Sequence, residues 1–200
     1  WRTTDISVFY EGMSGTPFTY VADGDLNGDG WDQNDPLYIP LDATDVNEIR
    51  IGRGSGAAFA VNSADAQAFD DFISSHECLD EQRGQIMERN SCPSPWQNRM
   101  DLSIRQTIPY ADQRFAIQLD IINFLNLLND DWGQIELPTQ SALFPQQELL
   151  IVRGREAGAL DASLTNFEFQ PSVRDDGAFL KSQTTTSNFY QMQLTFRYSF

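Results

Sequence analysis

Asn188-Phe-Tyr-Gln-Met-Gln-Leu-Thr-Phe-Arg-Tyr-Ser-Phe200 is the stretch whose reading decides the fold. Tyr190, Met192, Leu194, Phe196, Tyr198 and Phe200 share one parity, and Gln191, Gln193, Thr195, Arg197 and Ser199 share the other. A period of two predicts a β-strand with one apolar and one polar face. The strand is long and aromatic, as expected of a bilayer-crossing strand, which needs about 9–11 tilted residues with aromatics at the interfaces.

The same alternation recurs upstream. Met100, Leu102, Ile104 and Ile108 alternate with Arg99, Asp101, Ser103, Arg105 and Thr107. Phe115, Ile117, Leu119 and Ile121 alternate with Ala116, Gln118 and Asp120, and Ile6, Val8 and Tyr10 with Asp5, Ser7 and Glu11. The polar parity carries charges in mid-strand (Asp101, Arg105, Asp120, Arg197), which a packed core does not accept without partners. A wet or plugged barrel lumen accepts them. An antiparallel sandwich with one solvated face per sheet fits the patterning equally well.

The chain has 200 residues, 29 acidic and 13 basic, for a net charge of −16. That charge argues against nucleic acid as a partner. No apolar run reaches the roughly 18 residues of a spanning helix, so any membrane crossing is by strands. The chain opens on Trp1-Arg-Thr-Thr, without a start Met or an apolar leader, so Trp1 is read as a point of truncation.

Strand patterning covers about residues 3–12 and returns over about 98–200. Between them, 13–97 reads as a polar insert with local structure of its own. Leu37–Pro40 and Glu48–Ile51 are short strand candidates. Ser63–Ile86 is expected as helix, with Ser63 as cap, Asp65 in the first turn, and Ala68, Phe69, Phe72 and Ile73 at helical spacing. Such long segments are normal on the extracellular side of large barrels, where the periplasmic turns are short. Tyr110-Ala-Asp-Gln113 is such a short turn. Counting from it, strands at about 3–12, 98–108, 113–123, 147–153, 165–170 and 189–200 alternate up and down, with both chain ends periplasmic. Six strands are fewer than the roughly eight of the smallest membrane barrels. The chain is therefore part of a larger barrel or no barrel at all.

Cys78 and Cys92 flank a polar stretch, and we expect them to be paired. Their flanks read as exposed, and exposed free thiols are a liability. The bond would imply an oxidising compartment; the other reading is two unrelated free thiols in a reducing cell. In Asp23-Gly-Asp-Leu-Asn-Gly-Asp-Gly-Trp-Asp-Gln-Asn-Asp35, the alternation of Asp25, Asn27 and Asp29 before Gly30 matches the first half of a calcium loop. The twelfth position from Asp25 is Pro36 rather than Glu, so Asp23, Asp32 or Asp35 would have to complete the site. The alternative is an acidic turn that only solvates.

Gly52-Arg-Gly-Ser-Gly56 lacks the third glycine and the βαβ unit of a dinucleotide site and is read as a flexible hinge. His76, the single histidine, is expected on a solvated helix face, since neighbouring serines on one helix cannot form triad geometry. One histidine and two cysteines do not make a structural zinc site, and no particular carboxylate pair points to a hydrolase.

In order and spacing, several stretches resemble the C-terminal barrel region of TonB-dependent outer-membrane receptors. The likeness is greatest to the branch with an N-terminal carboxypeptidase-regulatory-like domain. The stretches are Tyr10-Glu-Gly-Met-Ser-Gly-Thr-Pro-Phe-Thr-Tyr20, Asp25-Leu-Asn-Gly-Asp-Gly30 and Asn34-Asp-Pro-Leu-Tyr-Ile-Pro40. They continue with Asn98-Arg-Met-Asp-Leu102, Asp120-Ile-Ile-Asn-Phe-Leu-Asn-Leu-Leu-Asn129, Trp132-Gly133 and Leu194-Thr-Phe-Arg-Tyr-Ser-Phe200. The resemblance implies a barrel of roughly 22 strands in the bacterial outer membrane, with the plug and TonB box outside this chain. It implies active uptake of a scarce ligand (a siderophore, glycan or peptide) and no enzymatic activity. It also implies that the barrel-assembly machinery reads the terminal strand through Tyr198 and Phe200. The expectation is thus an all-β chain: about six antiparallel strands of a transmembrane barrel as one partial domain over 1–200, with an extracellular insert at 13–97 containing a short helix. Calcium is the only cofactor suggested, and outer-membrane lipid, the assembly machinery and TonB are the partners. The competing expectation is a soluble, secreted calcium-binding β module for adhesion or carbohydrate binding.

Overall fold

The computed structural model describes residues 3–110, 113–138, 146–155, 165–170, 179–181 and 188–199. In chain order the first elements are β1 (Thr3–Met13), β2 (Pro17–Asp23), β3 (Tyr38–Ile39), β4 (Arg50–Arg53) and β5 (Ala60–Val61). Next come α1 (Ser63–Ser75), α2 (Glu77–Asp80), β6 (Gln85–Ile86) and β7 (Cys92–Pro93). Then follow β8 (Gln97–Tyr110), β9 (Gln113–Ile122), α3 (Phe124–Leu128) and β10 (Glu136–Pro138). The last are β11 (Gln146–Arg155), β12 (Thr165–Phe169), β13 (Phe179–Lys181) and β14 (Gln191–Ser199). The described residues are mostly β, and they form two compact units.

The first unit comprises Trp1–Gly15, Pro95–Glu136 and Lys181–Phe200. Its framework is a four-stranded antiparallel sheet in the order β1-β8-β9-β14. The register puts like with like, because partners directly opposite share a face. One row is Ile6–Ile104–Leu119–Leu194, and the next is Val8–Leu102–Ile121–Met192. On the other face run Ser7–Ser103–Asp120–Gln193 and Asp5–Arg105–Gln118–Thr195. β8 and β9 pair up to Tyr110↔Gln113. Ala111 and Asp112 of the expected short turn, together with Trp1 and Phe200, lie outside the described residues. Among the described residues the sheet is open, with β1 and β14 at its edges.

The second unit comprises Thr16–Ser94 and Leu137–Leu180. The expected insert at 13–97 supplies its first part, and a sheet in the order β5-β4-β12-β11-β2-β7 is its framework. That sheet is mixed: β11 runs parallel to β2, β12 runs parallel to β4, and β11 and β12 are antiparallel. Here the sequence expectation needs correcting. The strands expected at 147–153 and 165–170 exist, but they belong to this sheet and not to the one that carries β1, β8, β9 and β14. The physical reason is burial on both faces. Gln147, Glu148, Leu149 and Leu150 are buried in succession, as are Phe18 to Ala22 of β2. A central strand of a partly parallel sheet is covered on both sides and loses the alternation that marks a two-faced wall.

α1 packs on this sheet. Phe69 and Ile73 are fully buried, the Phe69 ring lies 5.4 Å from Phe169, and Phe72 lies 5.7 Å from Phe169 and 5.8 Å from Tyr20. The helix is shorter than Ser63–Ile86. Its cap is Asn62, whose Oδ1 accepts from the Ala64 and Asp65 amides. It ends where His76 adopts extended backbone (φ −121°, ψ 101°), and α2 starts afresh. His76 is accordingly no solvated helix residue. It is half-buried, stacked on Phe72 at 4.1 Å, with its Nδ1 2.8 Å from the Phe72 carbonyl oxygen.

Candidate functional site

The most unusual surface is the apolar face of the four-stranded sheet. Ile6, Val8, Tyr10, Met192, Leu194 and Phe196 all lie on it, and each is exposed; Phe196 keeps 71 % of its surface open. Water-soluble domains rarely leave so large a contiguous apolar patch uncovered. Phe115 and Tyr198 meet on the same face with ring centroids 4.9 Å apart. The strands are 11, 14, 10 and 9 residues long, within or above the roughly 9–11 needed to cross a bilayer.

The opposite face is an internally paired polar layer. Ser103 Oγ donates to Asp120 Oδ1 at 2.6 Å, and Gln118 Nε2 donates to both Asp120 oxygens at 2.9 and 3.1 Å. Arg99 and Asp101 approach at 3.3 Å, and Asp101 Oδ1 accepts from the Asn123 amide at 2.8 Å. Arg105, Arg114 and Arg197 gather with Asp5 on this side.

At one end of the sheet, α3 and the turn after it form a latch built from asparagines. Asn126 Nδ2 donates to the Asp130 and Trp132 carbonyls, and its Oδ1 accepts from the Tyr190 amide. Asn123, in a left-handed conformation (φ 54°), donates to the Gly133 carbonyl at 2.9 Å. Gly133 itself has φ +65°, and a Cβ there would fall 2.0 Å from Asn123 Oδ1. Asn188 closes the set through the Ile135 amide and carbonyl. The motif that carried the family resemblance over 120–133 thus has a structural meaning that sequence alone did not show.

In the acidic segment every carboxylate with a described hydrogen bond is occupied by amide groups. Asp25 Oδ1 accepts from the Gly28 and Asp29 amides, and its Oδ2 accepts from Gly30. Asp35 is buried; its Oδ2 accepts from Leu26 and Asn27 backbone, and its Oδ1 from Asn27 Nδ2 at 2.6 Å. Asp29 accepts from Trp31, Asn27 and Asn34. Those bonds, led by the one from the Asn34 side chain, hold its carboxyl below the usual range. Asp23 accepts from Gln33 at 3.4 Å, and Asp32 is exposed. The oxygen-only chemistry suits calcium. Among the described residues, however, no three acidic, histidine or cysteine side chains gather into a metal-holding group.

Cys78 of α2 and Cys92 of β7 form a disulfide, with Cα atoms 5.2 Å apart. It ties the short helix to the edge of the mixed sheet and contributes about 3 kcal/mol in the chain-entropy account. Sequence reasoning missed Arg83, the principal ionic hub of this unit. Its guanidinium donates to Asp80 Oδ1 at 2.8 Å, Asp70 Oδ1 at 2.9 Å, Ser74 Oγ at 2.8 Å and the Pro40 and Leu41 carbonyls at 3.1 Å. Burial opposes its charge, yet these hydrogen bonds and the two carboxylates raise its pKa on balance. Gly52, read as a hinge, is a tight crossing instead: a Cβ there would meet the Ala60 carbonyl oxygen at 2.2 Å.

Comparison with protein-family models, curated proteins and solved structures returned no match to this chain.

Proposed function

We propose that this chain is the C-terminal part of a TonB-dependent outer-membrane receptor that imports a scarce ligand. The four-stranded sheet would be a section of the barrel wall, and the disulfide-tied unit an extracellular elaboration. One observation carries the reading: a sheet of strands long enough to cross a bilayer, with an exposed apolar face and a paired, charged polar face. Among the described residues β1 and β14 are long edge strands, which supports it, because edges of that length invite pairing with further strands. The disulfide supports an oxidising compartment, and the ordered motifs of the resemblance supply the family. The proposal gives the chain no catalytic role. Calcium belongs to it only as the ion whose chemistry the 23–35 segment matches; absence of calcium-dependent heat at millimolar ion would leave that segment a solvated turn.

The test uses spin labels. The only two cysteines are bonded to each other, so a cysteine introduced in place of Leu194 or Gln193 labels selectively. In the intact outer-membrane protein, the label at 194 is expected to relax with lipid-soluble oxygen and the label at 193 with a water-soluble nickel chelate. Equal access of the chelate to both would favour the soluble secreted module.

A further inference from the structure

A cleft of about 350 Å³ lies at the latch end of the four-stranded sheet, entirely within the first unit. Its walls include Tyr10, Trp96 and Trp132, each more than half exposed. Two of the three rings are held by side-chain hydrogen bonds, and the backbone of the third is anchored. Tyr10 Oη and Trp96 Nε1 both donate to Asn98 Oδ1, at 2.6 and 3.0 Å. Trp96 also lies against Gly12, where an added Cβ would come within 3.1 Å of its ring. Trp132 rides on the asparagine latch, its carbonyl accepting from Asn126 Nδ2 and its amide donating to Asn129. Asp131, Gln134 and Glu136 also line the cleft, and among the described residues no lysine or arginine does.

We infer that this cleft binds neutral pyranose sugars. Two indoles and a phenol offer flat apolar faces for the C–H faces of sugar rings. Carboxylates and an amide between them supply acceptors for ring hydroxyls. The size is that of a small-ligand pocket. Charge excludes the acidic alternatives: two carboxylates, no base in the lining and a net charge of −16 repel phosphorylated or uronic sugars. Tryptophan and tyrosine also mark membrane interfaces, but an interfacial belt has no use for carboxylates set in a concavity. The inference rests on the cleft and not on the membrane reading. If that reading holds, Tyr10 ends the apolar row of β1, and the cleft lies at the extracellular rim beyond the hydrocarbon.

The experiment titrates the full chain in detergent with maltotriose, mannotriose, chitotriose and trigalacturonate, and follows tryptophan fluorescence and saturation-transfer NMR. Saturable binding of at least one neutral trisaccharide is expected, with none of trigalacturonate. Trp96→Ala and Trp132→Ala should each weaken binding about tenfold, a size consistent with loss of one aromatic stack. Trp96→Phe should recover most of it, which separates stacking from folding, and Trp31→Ala in the acidic loop should change nothing. A polysaccharide-bearing vesicle arm tells a free glycan from a surface-attached one. No saturable binding of any neutral trisaccharide by the folded wild type overturns the inference. So does quenching of Trp96 by brominated lipid without sugar binding, which would make these rings an interfacial belt. Either result leaves the spin-label test of the barrel wall untouched.

Discussion

At the scale of single residues, local hydrogen bonds decide charge and conformation in ways that can be measured. Asp42 accepts from the Thr44 hydroxyl at 2.6 Å and from the Thr44 amide at 2.8 Å. These bonds, the hydroxyl first, lower its pKa from the usual 3.8, against a small opposing effect of burial and with help from Arg83. A carboxyl whose folded pKa is depressed contributes stability that is fully present above its unfolded value and lost as pH falls through the folded one. The titration of the Asp42 side-chain carboxyl carbon should therefore have its midpoint below 3.8, and Thr44→Val should move it back toward that value. Arg83 is the stronger case, since only 17 % of its side chain is exposed and it bridges two carboxylates, a hydroxyl and three carbonyls. Arg83→Ala should cost about 2–3 kcal/mol of stability, read as a lower urea midpoint of the full chain. Arg83→Lys should recover only part of it, because an ammonium cannot reproduce the planar fork.

At the scale of elements, legibility follows burial. β1, β8, β9 and β14 were readable because each has one wet and one apolar face, and alternation survives only under that condition. β2 was missed for the opposite reason: Phe18, Thr19, Tyr20, Val21 and Ala22 are all buried, so no period appears, and Pro17 at its start reads as a break. The consecutive Leu149-Leu150-Ile151-Val152 of β11 was the available signal for a strand covered on both sides. Read by position alone, it counts as one more wall strand. α1 was legible from its spacing, but its end was not: no glycine or proline marks it, and at His76 the amide donates to the Ile73 carbonyl while the imidazole Nδ1 sits at the Phe72 carbonyl. Of the site, the acidic residues and the cysteines could be named from sequence. The Arg83 hub and the aromatic cleft could not, because both join residues brought together only by folding. The α1 contact with the mixed sheet makes a quantitative prediction. Phe69 is fully buried against Phe169, so Phe69→Ala should destabilise by about 3–5 kcal/mol in urea unfolding. Exposed Gln67, two residues earlier and so on the opposite side of the helix, should tolerate Ala within about 0.5 kcal/mol.

At the scale of the whole molecule, the question is what covers the apolar face of the first unit. Leu194 sits in the row Ile6–Ile104–Leu119–Leu194, and Gln193, its chain neighbour, sits in Ser7–Ser103–Asp120–Gln193 on the other side. Neighbouring residues of one strand therefore report on two different surroundings. If hydrocarbon covers the apolar face, arginine at 194 must enter it near mid-strand, at a cost of about 2–4 kcal/mol. Arginine at 193 would stay in a polar layer beside Asp120 and cost little. If water covers both faces, the two substitutions are surface changes of about 0.5 kcal/mol or less. The measurement is the folded fraction of the intact protein in lipid vesicles across a urea series, followed by heat-modifiable gel mobility. Leu194→Arg is expected to shift the midpoint sharply downward, with Gln193→Arg close to wild type. Two small and similar shifts would remove hydrocarbon from the account and leave the sheet as one wall of a soluble module. The contrast is informative because both variants add the same side chain to the same strand, so strand propensity and net charge cancel and only the covering medium differs.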